Sequence, residues 1–150
     1  MPSHGSCLCG NVKFSLTIDP DSDPNPDVNV TSTRICHCRA CRKITGGTTS
    51  VNLTVPSTSF ILDSGTLKTI TTKHVDEGFD FSLSFCEDCG SPIYAVPLPQ
   101  ARPEVKIIQV GVLDDDGDLL GTKPDVELNV KYRPAWVQQV SGAEQRERYT

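Results

Sequence analysis

A chain of 150 residues with 37% hydrophobic residues and a net charge of -5 suffices for one domain with its own core and leaves no room for a second of similar size. Fourteen Lys and Arg, scattered and outnumbered by nineteen Asp and Glu, exclude a phosphate-gripping basic patch, and no apolar run approaches the roughly 20 residues of a membrane span. The start, Met1-Pro2-Ser3-His4-Gly5, is neither basic nor apolar, so the expectation is a cytoplasmic protein with reduced thiols and neither nucleic acid nor membrane as partner.

Short apolar or alternating runs rich in Val, Ile, Thr and Phe, punctuated by Gly and Pro, predict a mainly β chain. The expected strands are Asn11 to Ile18, Ser32 to Cys36, Thr48 to Val55, Phe60 to Leu62, Leu67 to Lys73, Phe79 to Phe85, Ile93 to Val96, Val105 to Val112 and Val126 to Val130. In the sixth of these, Phe79, Phe81, Leu83 and Phe85 alternate with Asp80, Ser82 and Ser84, as a strand with one buried face requires. Residues 19–27, with three prolines and no apolar side chain, read as a solvated surface loop. Leu113 to Asp118 lacks the glutamate that completes an EF-hand and reads as a hairpin turn. Helix is expected only as a short turn through Ala40 to Ile44 and in a tail opening at Pro134 and running through Trp136, Val137 and Val140. The whole of 1–150 reads as a single domain, with 141–150 a mobile tail.

The seven cysteines fall in three clusters: Cys7 and Cys9; Cys36, Cys38 and Cys41; Cys86 and Cys89. An odd number argues against disulfides and suits metal sites, which need no even count. A turn carrying two cysteines brings both sulfurs to one zinc at about 2.3 Å, and a following glycine lets the chain leave at positive φ. Gly10 and Gly90 stand at those positions. Reading Cys86 and Cys89 as a redox pair would require a helix after the motif, which Gly90-Ser91-Pro92 breaks. Cys7, Cys9, Cys86 and Cys89 are therefore assigned to one closed structural zinc, and Cys36, Cys38 and Cys41 to a second, open zinc with one position left for water or substrate. His37, between two ligands in an extended segment, should project away from them and take a hydrogen-bonding or packing role. His4 is expected in a mobile terminus, His74 as a polar hairpin residue and Trp136 in core or rim packing.

Three segments, Gly5-Ser6-Cys7-Leu8-Cys9-Gly10-Asn11-Val12-Lys13-Phe14, Cys36-His37-Cys38-Arg39-Ala40-Cys41-Arg42-Lys43-Ile44-Thr45-Gly46 and Phe85-Cys86-Glu87-Asp88-Cys89-Gly90-Ser91-Pro92-Ile93, resemble the glutathione-dependent formaldehyde-activating enzyme family, which also contains the centromere protein V domain. The likeness continues in Gly111 to Asp115 and in Pro124 to Trp136 with Arg133. It implies the Mss4-like β-tent fold of small antiparallel sheets with zinc knuckles, two zincs per chain on the ligand sets just given, and a carbon–sulfur lyase acting on glutathione or related thiol adducts. Arg42 and Lys43 are candidates to attract a substrate carboxylate, and Asp114 and Asp115 match a family turn, which leaves Asp115 a candidate for acid–base chemistry. Two other readings stand beside the lyase: a non-catalytic, zinc-stabilised binding module, and a zinc enzyme of secondary metabolism with a non-glutathione substrate.

Overall fold

The computed structural model describes residues 3–17, 33–97, 104–114 and 121–149; the 19–27 loop and Asp115 lie outside the described residues. In chain order the elements are β1 (Ser3–Ser6), β2 (Lys13–Leu16), β3 (Arg34–Cys36), α1 (Arg39–Thr45), β4 (Ser50–Pro56), β5 (Phe60–Ser64), β6 (Leu67–Lys73), β7 (Asp80–Cys86), β8 (Pro92–Pro97), β9 (Val105–Gln109), β10 (Val126–Leu128) and β11 (Glu144–Gln145). Three strands, in the order β1-β2-β5, form a small antiparallel sheet, and the remaining eight form a sheet ordered β11-β10-β3-β4-β9-β8-β7-β6. This second sheet is mixed rather than antiparallel throughout, because β10 runs parallel to both β3 and β11.

The main core lies between the sheets. Val12, Phe14 and Leu16 around β2 meet Leu53 and Val55 of β4, Ile93 of β8 and Ile108 of β9, all fully buried or nearly so. Phe60 stacks on Phe14 at 5.1 Å and takes the edge of Tyr94 at 5.0 Å. The other face of the large sheet carries Asn52 and Thr54 of β4, Ile107 and Gln109 of β9 and, past the irregularity that leaves Ile93 unpaired against β7, Ala95 and Pro97 of β8; these line a cavity of about 440 Å³ that the core residue Val105 also reaches. A smaller cluster of Cys36, Cys38, Ala40, Val126 and Leu128 packs beside that cavity.

Several sequence expectations are corrected. The β9 segment ends as a strand at Gln109; Val110–Val112 is a 3-10 turn, after which Leu113 bridges to Gly5 and so ties β1 down. In β7 the face expected to be wet is partly covered: Ser84, on the same side as the core residue Cys86, is buried while Phe85 is only half-buried, and Thr69–Ser84 and Thr71–Ser82 hydroxyl pairs at 2.8 and 3.0 Å satisfy the polar side chains. The helix expected from Pro134 does not form: Val137 N–H closes one turn onto the Pro134 carbonyl, and Val140 N–H is captured by Glu127 Oε2 at 2.8 Å. Trp136, expected to pack, is 74% exposed. The segment expected as a mobile tail instead supplies β11, the buried Ala143 and Tyr149, which packs against the second cysteine cluster. His4 lies in β1, with Nδ1 3.2 Å from Ser15 Oγ, rather than in a loose terminus.

Candidate metal centres

The first cluster is built by two turns that mirror each other. Between β1 and β2, Cys7 N–H donates to the Val12 carbonyl (3.1 Å) and Gly10 N–H to the Cys7 carbonyl (3.0 Å); between β7 and β8, Cys86 N–H donates to Ser91 (3.0 Å) and Gly90 N–H to Cys86 (2.9 Å). Both chains leave through left-handed glycines, Gly10 at φ 80° and Gly90 at φ 77°. The turns are joined side to side by Leu8 N–H to Ser91 Oγ (3.0 Å) and Asn11 Nδ2 to Asp88 Oδ2 (2.9 Å). The four sulfurs of Cys7, Cys9, Cys86 and Cys89 consequently lie within 4.8 Å of one another, with Cys7–Cys9 at 3.5 Å and Cys9–Cys86 at 3.8 Å. Four sulfurs at about 2.3 Å from a tetrahedral zinc stand about 3.8 Å apart, so the set fits that ion. Val12 N–H donates to Cys7 Sγ at 3.2 Å, a contact that favours the Cys7 thiolate, and Cys89 N–H donates to Cys86 Sγ at 3.5 Å.

The second cluster lies where β3 passes into α1. Cys36 ends the strand, Cys38 is the N-cap of the helix and accepts from Cys41 N–H at 3.3 Å, and Gly46 at φ 72° ends the helix with its N–H on the Arg42 carbonyl. The three sulfurs lie within 4.8 Å of one another. Hydrogen bonding with Cys36, and then with Cys41, drives the Cys38 thiol far down, whereas the bonds with Cys36 and Cys38 push Cys41 far up. One sulfur ionises readily and its neighbours cannot follow it without a nearby cation, which is the condition a divalent ion relieves. Two further donors address these sulfurs: Asn129 Nδ2 meets Cys36 Sγ and the Tyr149 hydroxyl meets Cys38 Sγ, each at 3.5 Å. Asn129 is held for this in a left-handed conformation at φ 56°.

His37 is buried and stays out of the sulfur cluster; its Nε2 is 2.8 Å from Glu127 Oε1, and since a carboxylate only accepts, Nε2 carries the proton. Glu127 Oε2 accepts from Val140 N–H (2.8 Å) and Gln145 Nε2 (2.7 Å) and pairs with Arg133 Nη2 at 3.2 Å. Burial pushes the Glu127 carboxyl up, but these bonds from Gln145, His37, Val140 and Arg133 outweigh it and hold it at about 2.

All three cysteines of the second cluster line the 440 Å³ cavity, and none of the first does. The cavity floor carries Asn52 and Gln109, register partners whose amides are linked by Gln109 Nε2 donating to Asn52 Oδ1 at 3.2 Å. Its cations are Arg34 and Arg146. Arg42 and Lys43 do not line it; Lys43 faces an adjoining, more open apolar groove with Ile70, which shares Ala40, Ile44 and Phe81 with the cavity. Asp114 accepts from Ser6 Oγ at 2.9 Å and takes its place as the anchor of β1. His74, expected as an ordinary hairpin residue, is buried and lines the cavity beside Phe79, Phe81 and Tyr149.

A mainly β domain of two sheets, with one cluster of four thiols clipping two turns and a second of three thiols opening on a cavity, defines a protein able to hold two metal ions. Residues 2–132 match the family described as glutathione-dependent formaldehyde-activating enzyme, and the chain belongs to that family. A solved structure of a Rhodobacter sphaeroides protein resembles it in fold, with a TM-score of 0.52 and 20% identity over 81% of this chain and 97% of that chain. The comparison with curated proteins finds no match. Among the described residues no helix is long and apolar enough to cross a membrane.

Proposed function

We propose that the chain is a zinc-dependent carbon–sulfur lyase acting on glutathione adducts of the S-hydroxymethyl type, with the three-cysteine cluster as its reactive centre and the four-cysteine cluster as a structural one. The observation that carries this reading is the position of Cys36, Cys38 and Cys41 in the wall of a cavity of small-molecule size. A zinc ion there, when bound, would supply a Lewis acid that stabilises sulfur as thiolate. In the cleavage direction the C–S bond breaks with its electron pair on sulfur, the hydroxyl oxygen becomes the aldehyde carbonyl, and the hydroxyl proton ends on the released thiol.

The chain's own side chains suit such a substrate. Arg34 and Arg146 bring guanidinium groups to the wall, Arg146 holding Glu144 through Nε and Nη2 at 2.8 and 3.0 Å, so that a substrate carboxylate, of which glutathione has two, would share or replace that partner. The linked amides of Asn52 and Gln109 line the same cavity and offer a donor and acceptors suited to peptide groups. Phe79, Phe81, Ile107 and Leu128 supply the apolar remainder and exclude water.

The test is turnover by the zinc-loaded full chain on a panel of glutathione adducts, with aldehyde and free thiol measured together. The expected result is equimolar release by wild type and loss of it in Cys38→Ser. No turnover of any adduct by a protein holding two zincs would overturn the lyase reading.

A further inference from the structure

The family match ends at residue 132, yet the second cluster is completed from beyond it. β11 lies parallel to β10, and Gln145 is fastened to Glu127 Oε2 at 2.7 Å, which carries the chain on to Tyr149 at the cavity wall. The Tyr149 ring is packed edge-on to His74 (5.8 Å, 80°) and Phe79 (6.1 Å, 63°). Its hydroxyl is the middle of a chain of polar contacts: 2.7 Å to His74 Nε2 on one side and 3.5 Å to Cys38 Sγ on the other.

The direction of that chain follows from the far side of the imidazole. His74 Nδ1 accepts from the backbone N–H groups of Asp76 (3.1 Å) and Glu77 (3.2 Å), so the proton is on Nε2, which donates to the Tyr149 oxygen. The tyrosine O–H is left to donate to Cys38 Sγ. The hairpin that sets the imidazole is itself pinned to the start of α1, where Asp76 accepts from Arg39 N–H at 3.1 Å and from the Arg39 guanidinium. His74, Tyr149 and Cys38 are thus fixed by three separate parts of the chain. Each bond in such a series polarises the next.

We propose that Tyr149 is a positioning residue of the three-cysteine site: held by His74, its hydroxyl donates to the Cys38 thiolate, draws electron density from that sulfur and leaves a bound divalent ion more electrophilic toward an incoming thiol. This rests on the reading above that Cys36, Cys38 and Cys41 hold a metal. It makes the C-terminal segment part of the reactive centre, and ligand-to-metal electronics the property it controls.

The test uses the full chain loaded with cobalt(II), whose thiolate-to-metal charge-transfer band reports sulfur donation. Wild type is expected to take up two equivalents. Tyr149→Phe, which keeps the ring packing, is expected to retain both at saturation, with the band moved to longer wavelength and the weaker affinity reduced about 10-fold. His74→Leu is expected to move the band the same way by less, since the hydroxyl remains. An unchanged band and affinity in Tyr149→Phe overturn this inference and leave the two-metal reading standing, whereas a single equivalent in wild type overturns both. A Tyr149→Phe protein that melts lower and loses one ion without a band shift makes the tyrosine structural and also overturns it.

Discussion

Replacing Glu127 by alanine removes the acceptor shared by His37 Nε2–H, Val140 N–H, Gln145 Nε2–H and the Arg133 guanidinium, a carboxylate that is 1% exposed; Gln145 keeps the Ala143 carbonyl and Arg133 keeps Gln145 Oε1. Breaking a buried pair by removing one partner costs about 3–5 kcal/mol. The depressed carboxyl leads to a comparable figure. The folded carboxyl is held at about 2 against an ordinary 4.5, and at about 1.4 kcal/mol per pH unit that is about 3 kcal/mol of stabilisation. Because the folded value is depressed, the stabilisation is complete above about 4.5 and is lost as pH falls toward about 2. The assay is urea unfolding with zinc in fixed excess for wild type, Glu127→Ala and Glu127→Gln, at steps from neutrality down to about pH 3. Proton competition for the cysteines is common to all three proteins and cancels in their differences. Glu127→Ala should lose about 3–5 kcal/mol at neutral pH, Glu127→Gln less, and both gaps should narrow by up to about 1.4 kcal/mol per pH unit below about 4.5. A neutral-pH loss under about 1 kcal/mol, or a gap that stays constant into acid, would refute the role of Glu127 as the clamp on the C-terminal segment.

Gly90→Ala adds a Cβ at φ 77° with nothing within 4 Å, so it should cost only the left-handed penalty of about 1–2 kcal/mol. Gly65→Ala, at φ 86° with its Cβ 2.5 Å from the Asn11 carbonyl oxygen, should add an overpacking cost of about 1–3 kcal/mol. Equal losses for the two in urea unfolding would contradict the packing described. Cys9→Ser should lower the melting temperature sharply together with zinc content, because Cys7 and Cys86 of the same cluster belong to the main core, whereas Cys38→Ser should lose one zinc with a much smaller thermal shift. Comparable melting shifts in the two variants would refute the division into structural and reactive centres.

The strands of the main core were legible because their apolar residues alternate or run together, and the cysteine clusters because spacing alone brings sulfurs into one turn. The same alternation hid the rest. Val126-Glu127-Leu128-Asn129 and Val51-Asn52-Leu53-Thr54 both read only as strands of alternating polarity, yet Glu127 and Asn129 are buried among hydrogen-bond partners and Asn52 and Thr54 face a cavity. Period two separates the faces of a strand but does not say what covers either. The C-terminal segment, read as mobile and partly helical, is held by tertiary bonds from Glu127 and His74 to Val140, Gln145 and Tyr149, which no local pattern encodes. The Arg34 and Arg146 side chains reach the cavity from β3 and from just after β11, whereas Arg42 and Lys43, nearer the cysteines in sequence, sit on α1 and do not line it.

On the proposed function, the seven cysteines divide into a closed set of four and an open set of three that accepts a substrate sulfur. X-ray absorption at the zinc edge of the zinc-loaded chain, recorded without and with glutathione, tests it most directly. Two zincs sharing the seven cysteine sulfurs are expected, with an additional sulfur ligand when the thiol is added. Two zincs whose sulfur coordination does not change with saturating thiol, or a chain that holds only one zinc, would contradict it.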